Sequence, residues 1–361
     1  MESSVLFKSP GNAAVVIDIP RSLEEAQVLP GQPIQRRIIS VRAVETPWQI
    51  PEPKKRQRQQ QRRQQQHVSS SAAAVAELMT LETVKSALEK ARASYDGPWC
   101  LPRHVAMEPE EVDASKQDNR EGSRKRKYSV SSKEGGEGVV PTFVPEQSHY
   151  LLGTVESQRE LFLHKAPKFD LIILDPPWPS RSVKRKSDSY GTVRSVEEAS
   201  NLLSQIPVRS HLKRDGLVAI WVTNKAAITD ALTSPTGSLA QWGLEPIGEW
   251  VWLKITSSGE PISDVESAWR KPWERLIIAR ERGNSAVPPI PTKVILGVPD
   301  LHSRKPNLRG LFGEFLPRGY QGLEVFARNL TAGWWSWGNE VLLFQERDRW
   351  IGIEDRHACS V

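Results

Sequence analysis

The sequence predicts an α/β domain built on a doubly wound, largely parallel sheet and preceded by a partly disordered N-terminal extension. Three observations carry this. Of 13 tryptophans only Trp48 and Trp99 fall before residue 150, so the large aromatic groups that dominate cores lie in the C-terminal part. Beyond that point short apolar runs are continuous rather than alternating, as in strands buried on both faces of a parallel sheet. Helix-like stretches separate several of them, the alternation expected of βα units.

In chain order the expected strands are FDLIILD (169–175), GLVAIWVT (216–223), EWVWLKI (249–255), ERLIIAR (274–280), KVILGVP (293–299), LEVFAR (323–328) and EVLLFQ (340–345). The expected helices are 195–206, opening on Ser195 and Glu198 as a capping box, then 225–232 and 306–315. The boundary between the two parts is set at residue 148, with 149–361 as the packed domain. Within 1–148, residues 54–66 read KKRQRQQQRRQQQ, with six basic and no acidic side chains. Val75, Leu78, Leu81, Val84 and Leu88 then recur at three- and four-residue steps, predicting one amphipathic helix over 69–94. From Glu108 to Gly138 the chain is charged and Ser/Gly-rich, with RKRK at 124–127, which predicts a disordered linker.

Composition narrows the function classes. The 361 residues are 38% hydrophobic, carry 27 prolines and have a mean hydropathy of −0.46, below what a fully packed chain shows. The net charge of +6 suits an anionic partner. Two cysteines, Cys100 and Cys359, are too few for a disulfide framework or a zinc site and point to a reducing compartment. The first residues show no secretory signal, and no apolar run approaches the ~20 residues of a membrane helix. The basic tracts read either as nuclear import signals or as solvated charge runs. No GxGxxG dinucleotide fingerprint is present.

Chemistry concentrates in Asp175-Pro176-Pro177-Trp178, directly after the strand FDLIIL. Ligands of open α/β sheets bind outside the carboxyl ends of strands, where this tetrapeptide falls. Its parts suit methylation of an exocyclic amine on a planar base. Such an amine is a poor nucleophile because its lone pair is delocalised into the ring. The Asp175 carboxylate, expected to be an exposed strand-end group, and the Pro176 carbonyl can each accept one of its N–H bonds. Pro176 and Pro177 fix φ and bring no competing N–H. Trp178 offers a face for the base to stack on, worth ~1–3 kcal/mol in nucleic-acid sites. The alternative is a strand ended by a Pro-Pro turn, with the indole covering the core. No metal is required, since positioning for in-line attack on a methyl sulfonium supplies most of the catalysis.

The tetrapeptide resembles that of the DPPW adenine-N6 methyltransferase family, which includes the messenger-RNA N6-adenosine methyltransferase. Further segments match: SVKRKSDSYGT (182–192), IWVTN (220–224), KPWERLIIAR (271–280), HSRKPN (302–307) and LEVFARNLTAGWWSWGNEVLLFQ (323–345). The similarity covers about residues 149–353, and within the family the chain most resembles the methyltransferase-like protein 4 branch. The resemblance implies a Rossmann-like class I methyltransferase fold with permuted motif order, and S-adenosylmethionine as cofactor. It implies that Lys305 pairs with the cofactor carboxylate, and that Asp175 serves the cofactor amino end as well as the target amine. Glu324, Arg328, Asn329, Asn339 and Glu340 are similar to residues binding the ribose and neighbouring groups. Lys184, Arg185 and Tyr190 resemble a substrate-gating loop, with Trp221, Asn224 and Glu274 beside the acceptor. Trp221 also reads as plain core, and Glu274 as a surface charge. One departure stands out: where family members carry Ser-Asp-Ile, this chain has Gly153-Thr154-Val155, so Thr154 and Val155 take the place of the acid contact to the cofactor adenine.

The resulting expectation is an S-adenosylmethionine-dependent adenine-N6 methyltransferase of RNA, with 2′-O-methyladenosine of a small nuclear RNA as the implied acceptor. DNA adenine and a non-catalytic nucleic-acid-binding subunit are the alternatives; intact Asp175 and Trp178 speak against the second. Nuclear location is expected, with cytoplasm as the alternative, and a partner subunit is neither required nor excluded.

Overall fold

The computed structural model describes residues 3–49, 71–105, 141–179, 193–267 and 270–353. The Gln/Arg tract at 54–66, the linker at 108–138 and the loop carrying Lys184, Arg185 and Tyr190 lie outside them.

A ten-stranded sheet organises the chain. Its strands are β1 (Val5–Lys8), β2 (Ala14–Ile17), β5 (His149–Leu152), β6 (Phe169–Leu174), β7 (Leu212–Val222), β8 (Leu244–Lys254), β9 (Trp273–Glu281), β10 (Lys293–Gly297), β11 (Gly322–Val325) and β12 (Trp335–Gly338). They lie in the order β1-β2-β10-β8-β9-β7-β6-β11-β12-β5. β1 and β9 run against the rest, and the other pairings are parallel. The apolar runs explain the layers: Leu171, Val218, Ala219, Ile278 and Ile295 of the central strands are at most 1% exposed, because helices or loops cover both faces.

Beside it, β13 (Trp350–Gly352), β3 (Arg36–Ser40) and β4 (His104–Val105) form a small second sheet. Helix α1 (Ile19–Ala26) starts where Asp18 accepts the Arg21 N–H at 2.8 Å, and α2 (Ser71–Ser94) packs through Val84, Leu88 and Ala91 onto β2 and β10. The remaining longer helices are α3 (Val155–Lys165), α4 (Val196–Ser204) and α5 (Ala226–Thr233). Ser195 caps α4 by accepting the Glu198 N–H, while the Glu198 carboxylate reaches back to the Arg194 N–H at 2.6 Å. Among the described residues no helix is long and apolar enough to cross a membrane.

The structure departs from the expectations in several places. The division at residue 148 does not mark the edge of the sheet: β1 and β2 belong to it. The reason is the apolar run AVVI of β2, fully buried in parallel register beside β10. EVLLFQ (340–345) is turn rather than strand, because WSWG takes the place beside β11, with Val325 opposite Trp337. Val341 and Phe344 are buried nonetheless, and the Gln345 amide ties the segment down by bonds to Leu330, Gln27 and Phe143. Finally, the stretch 306–315 yields only one helical turn, Arg309–Phe312. The stripe on α2 is also half used: Val75 and Leu78 are exposed, since α2 meets the sheet only along its second half.

β6 is the place where the winding reverses. The chain leaves it for β7 on one side and returns to β11 on the other. Such a switch point opens a crevice at the carboxyl ends of the strands. β11 fits tightly there: a Cβ at Gly322 would lie 2.3 Å from the Trp334 indole.

Candidate active site

Asp175 sits at that crevice, its backbone N–H on the Val325 carbonyl at 3.3 Å. The two prolines that follow turn the chain, and the Trp178 N–H closes on the Pro176 carbonyl at 2.8 Å. A carbonyl has two lone pairs, so Pro176 keeps one for a ligand. The Trp178 indole N–H bonds to the Trp221 carbonyl at 2.7 Å, and the ring is 9% exposed within the core. The structure therefore does not bring Trp178 forward as an open stacking face. A buried indole needs a partner for its N–H, and meeting that need braces the tetrapeptide against β7. The Lys225 ammonium holds the next residue by bonding to the Pro179 carbonyl.

Asp175 is not the exposed group expected; its side chain is 17% exposed. Lys305 Nζ lies 3.0 and 2.9 Å from its two carboxylate oxygens and 3.1 Å from Glu274. All three ammonium hydrogens thus face carboxylate oxygens. Glu274 also receives Lys254 at 2.5 Å, and Arg328 lies 3.8 Å from Asp175 while donating to Glu340 at 2.8 Å. Strand order explains the assembly: β9 runs antiparallel between β7 and β8, so Glu274 near its start lies beside their carboxyl ends.

The electrostatics follow from this packing. Burial works against the Glu274 charge, but Lys305 and Lys254 outweigh it and hold the carboxyl down at about 2. Burial likewise opposes the Lys305 charge, and Asp175 and Glu274 outweigh it, raising the ammonium above the ordinary lysine range. Among the described residues no cation forms an ion pair with Glu324. Burial, with the Asp175 charge adding to it, pushes its carboxyl up to about 7. One group of this set is therefore poised near neutrality, as binding-site carboxyls often are.

Lys305, Glu324, Asn329 and Trp221 line one small cavity of about 20 Å³. Asn339 and Glu340 line a separate, open groove of about 370 Å³ with Leu152 and Leu342. Arg328, next to Asn329 in the chain, pairs with Glu340 and so links the two groups of residues. Asn224 is set slightly apart, bonding through its amide to the Trp273 carbonyl at 2.7 Å. Two non-glycine residues take left-handed backbone near the site, Ser303 (φ 71°) and Phe326 (φ 63°). Each stands two residues before a site cation, Lys305 and Arg328, and such strain persists where surroundings over-determine it.

Thr154 is placed as a helix cap. Its hydroxyl accepts the Ser157 N–H at 3.1 Å at the start of α3, and Val155 is core at 4% exposed. The position that family members fill with an acid thus does local work here. The sequence reading passed over Lys254 and Lys225. A charged residue ending the apolar run EWVWL, or following the VTN strand end, was the available signal.

The donor set fits S-adenosylmethionine. Its carboxylate needs a well-held cation, and Lys305 would meet it by exchanging one of its present carboxylate partners. Its ammonium needs carboxylates, which Asp175 and Glu324 would supply, and its ribose needs polar groups, which Asn329 would supply. Among the described residues no cluster of three or more His, Cys, Asp or Glu is arranged for a metal ion.

A family model described as MT-A70 matches residues 169–340. The chain is 45% identical to "N6-methyladenosine RNA methyltransferase MTA1" of Cryphonectria parasitica, over 96% of this chain and 94% of that one. It is 43% identical to the protein of the same name from Pyricularia oryzae over the full length of both. Mouse "N(6)-adenine-specific methyltransferase METTL4" is 36% identical over 58% of this chain and 45% of its own. The METTL4 resemblance therefore holds at a greater distance than the MTA1 one, and the MTA1 similarity includes the N-terminal strands. On this near full-length similarity and the family match over the strands that build the site, the chain belongs to the MT-A70 family.

Proposed function

We propose that this protein methylates the exocyclic N6 of adenosine in RNA with S-adenosylmethionine as donor. It is an enzyme, an adenine-N6 nucleic-acid methyltransferase. The observation that carries the reading is the bidentate Lys305–Asp175 pair at the reversal of the sheet, with its cation lining a cavity. When bound, the cofactor supplies an electrophilic methyl group. Lys305 holds its carboxylate, Asp175 and Glu324 face its amino group, and Arg328, Asn329, Asn339 and Glu340 line the space for the ribose and base. On the acceptor side the free lone pairs of Asp175 and Pro176 take the two N–H bonds of the adenine amine. That localises the nitrogen lone pair for in-line attack. Trp178 stacks with the base only if it moves from its braced position. Lys184, Arg185 and Tyr190 guide the polynucleotide.

The finer assignment, 2′-O-methyladenosine of a small nuclear RNA, rests on the likeness of the SVKR loop and the WGNEV ending to the methyltransferase-like protein 4 branch. Nuclear residence belongs to the same proposal and rests on the basic tracts. The test is transfer of labelled methyl by the full chain to matched RNA and DNA oligonucleotides, with and without a 2′-O-methyl on the target adenosine, followed by nucleoside analysis. N6-methyladenosine in RNA is expected, with more product from the 2′-O-methyl substrate. Label only in deoxyadenosine would move the substrate to DNA, and no label in either would support a non-catalytic role.

A further inference from the structure

A second charge cluster lies outside the active site, at the root of the loop that carries Lys305. Asp300 and Arg304 have fully buried side chains and pair with each other, and Arg103, 4% exposed, lies 3.9 Å from Asp300. Asp300 accepts the Val41 N–H at 2.9 Å and the Ser40 hydroxyl at 3.1 Å. Arg304 donates to the Ile39 carbonyl at 3.0 Å. Arg103 donates to the carbonyls of Val298, Pro299 and Val41 at 2.9 to 3.2 Å. Two N-terminal segments, the end of β3 and the residue before β4, are thereby fastened to residues 298–304.

None of these groups touches the cavity, yet Arg304 immediately precedes Lys305. Burying three charges is costly unless each is paired and bonded, and such clusters often fix geometry rather than add stability. There is a geometry to fix: Ser303, beside Arg304, is held in left-handed backbone at φ 71°. The loop has no strand or helix of its own from Val298 to Lys305. Moreover, the Arg304 guanidinium lies 4.5 Å over the Phe344 ring, and the Phe344 N–H bonds to the Arg328 carbonyl at 2.9 Å. The cluster thus bears on both site cations.

We propose that Asp300, with Arg304 and Arg103, is a positioning unit for Lys305, through which the N-terminal segments around Val41 and Arg103 set the affinity for the cofactor. This rests on the reading of Lys305 as the cofactor's carboxylate partner. It gives the N-terminal strands a part in the active site rather than in folding alone.

The test is a double-mutant cycle on the full chain, read by calorimetric binding of S-adenosylhomocysteine. The variants are Asp300→Asn, Lys305→Ala and both together. Glu314→Gln is the control: it breaks a buried pair with Lys293 at the opposite end of β10, so it reports general loosening. Asp300→Asn is expected to weaken binding about tenfold in the wild-type background and less than about twofold when Lys305 is already Ala, because coupled residues are non-additive. Affinity for an RNA oligonucleotide should stay within about twofold throughout. Should Asp300→Asn fail to fold, Arg103→Lys keeps the cation, loses the fork to the three carbonyls and should move cofactor binding in the same direction. Equal loss in both Lys305 backgrounds, or equal loss in Glu314→Gln, would overturn the positioning role. An unchanged cofactor affinity in Lys305→Ala alone would instead overturn the reading of Lys305, and this inference with it.

Discussion

Lys305 Nζ contacts both carboxylate oxygens of Asp175, so the cation assigned to the cofactor and the acid assigned to the acceptor form one ion pair. Each carboxylate oxygen has two lone pairs, and one on each remains for a second donor. The two halves of the proposed reaction are therefore joined through a single side chain.

Asp175→Asn should lower methyl transfer by about two to three orders of magnitude, the usual effect of removing a group aimed at the reacting centre. The isosteric amide keeps the turn, so the chain should fold and still bind an RNA oligonucleotide. Because Lys305 keeps only Glu274, the melting temperature should fall by a few degrees, about 1–2 kcal/mol. Single-turnover kinetics beside a thermal melt separate the two effects. Retention of more than a small fraction of activity would remove Asp175 from the mechanism.

Lys305→Ala should act mainly on the cofactor. A charge-assisted bond is worth about 1.5–3 kcal/mol, so KM for S-adenosylmethionine should rise roughly ten- to one-hundred-and-fifty-fold. Initial rates at saturating RNA measure this. A change confined to the RNA constant would place Lys305 on the acceptor side instead.

Glu324 and Glu274 should leave opposite marks on stability against pH. The folded Glu324 carboxyl titrates at about 7 against an ordinary 4.5, so the folded chain holds the extra proton. Its contribution is present below pH 4.5 and is lost as pH rises through 7. Glu274, held at about 2, contributes above pH 4.5 and loses that as pH falls toward 2. In cofactor-free protein, Glu324→Gln should therefore raise the melting temperature at pH 8 and leave it little changed at pH 4. An equal shift at both values would mean that the Glu324 proton plays no part.

Thr154→Ala should cost about 1 kcal/mol through the lost cap of α3, whereas Thr154→Asp should keep it. The acid should also tighten cofactor binding, since it restores the residue type that family members carry there. Thermal melts and calorimetry test the two halves; weaker cofactor binding by the Asp variant would remove Thr154 from the cofactor site.

The loop carrying Lys184 and Arg185 yields a prediction from charge alone. If both contact phosphates, replacing them with Ala should lower the magnitude of the logarithmic salt slope on single-stranded RNA by about 1.4. Deleting residues 1–68 would remove β1, β2 and α1 from the fold, so neutralising the six basic residues of 54–66 is the cleaner comparison. Oligonucleotide affinity over a salt series measures both. An unchanged slope in the loop variant, with a large change in the tract variant, would move RNA binding to the tract.

The sequence by itself determined the strands and the chemistry they deliver. Continuous apolar runs need burial on both faces, which fixed β6 to β11 as sheet strands and put Asp175 at a strand end. A Pro-Pro turn allows few backbone paths, so DPPW was legible as a site before any coordinates. Assembly was decided only in three dimensions. Strand order brings Glu274, at the start of antiparallel β9, to Lys305, and nothing in either local sequence encodes that distance. The same holds for AVVI: four apolar residues far from the other strands join the sheet because β10 offers an unpaired edge. EVLLFQ carries the pattern of a strand and is a turn, because WSWG occupies the edge it would have needed. Trp178 faces inward because its N–H finds the Trp221 carbonyl. Local pattern selects what a segment can bury or bond, and competition among segments for edges, cavities and partners selects what it does.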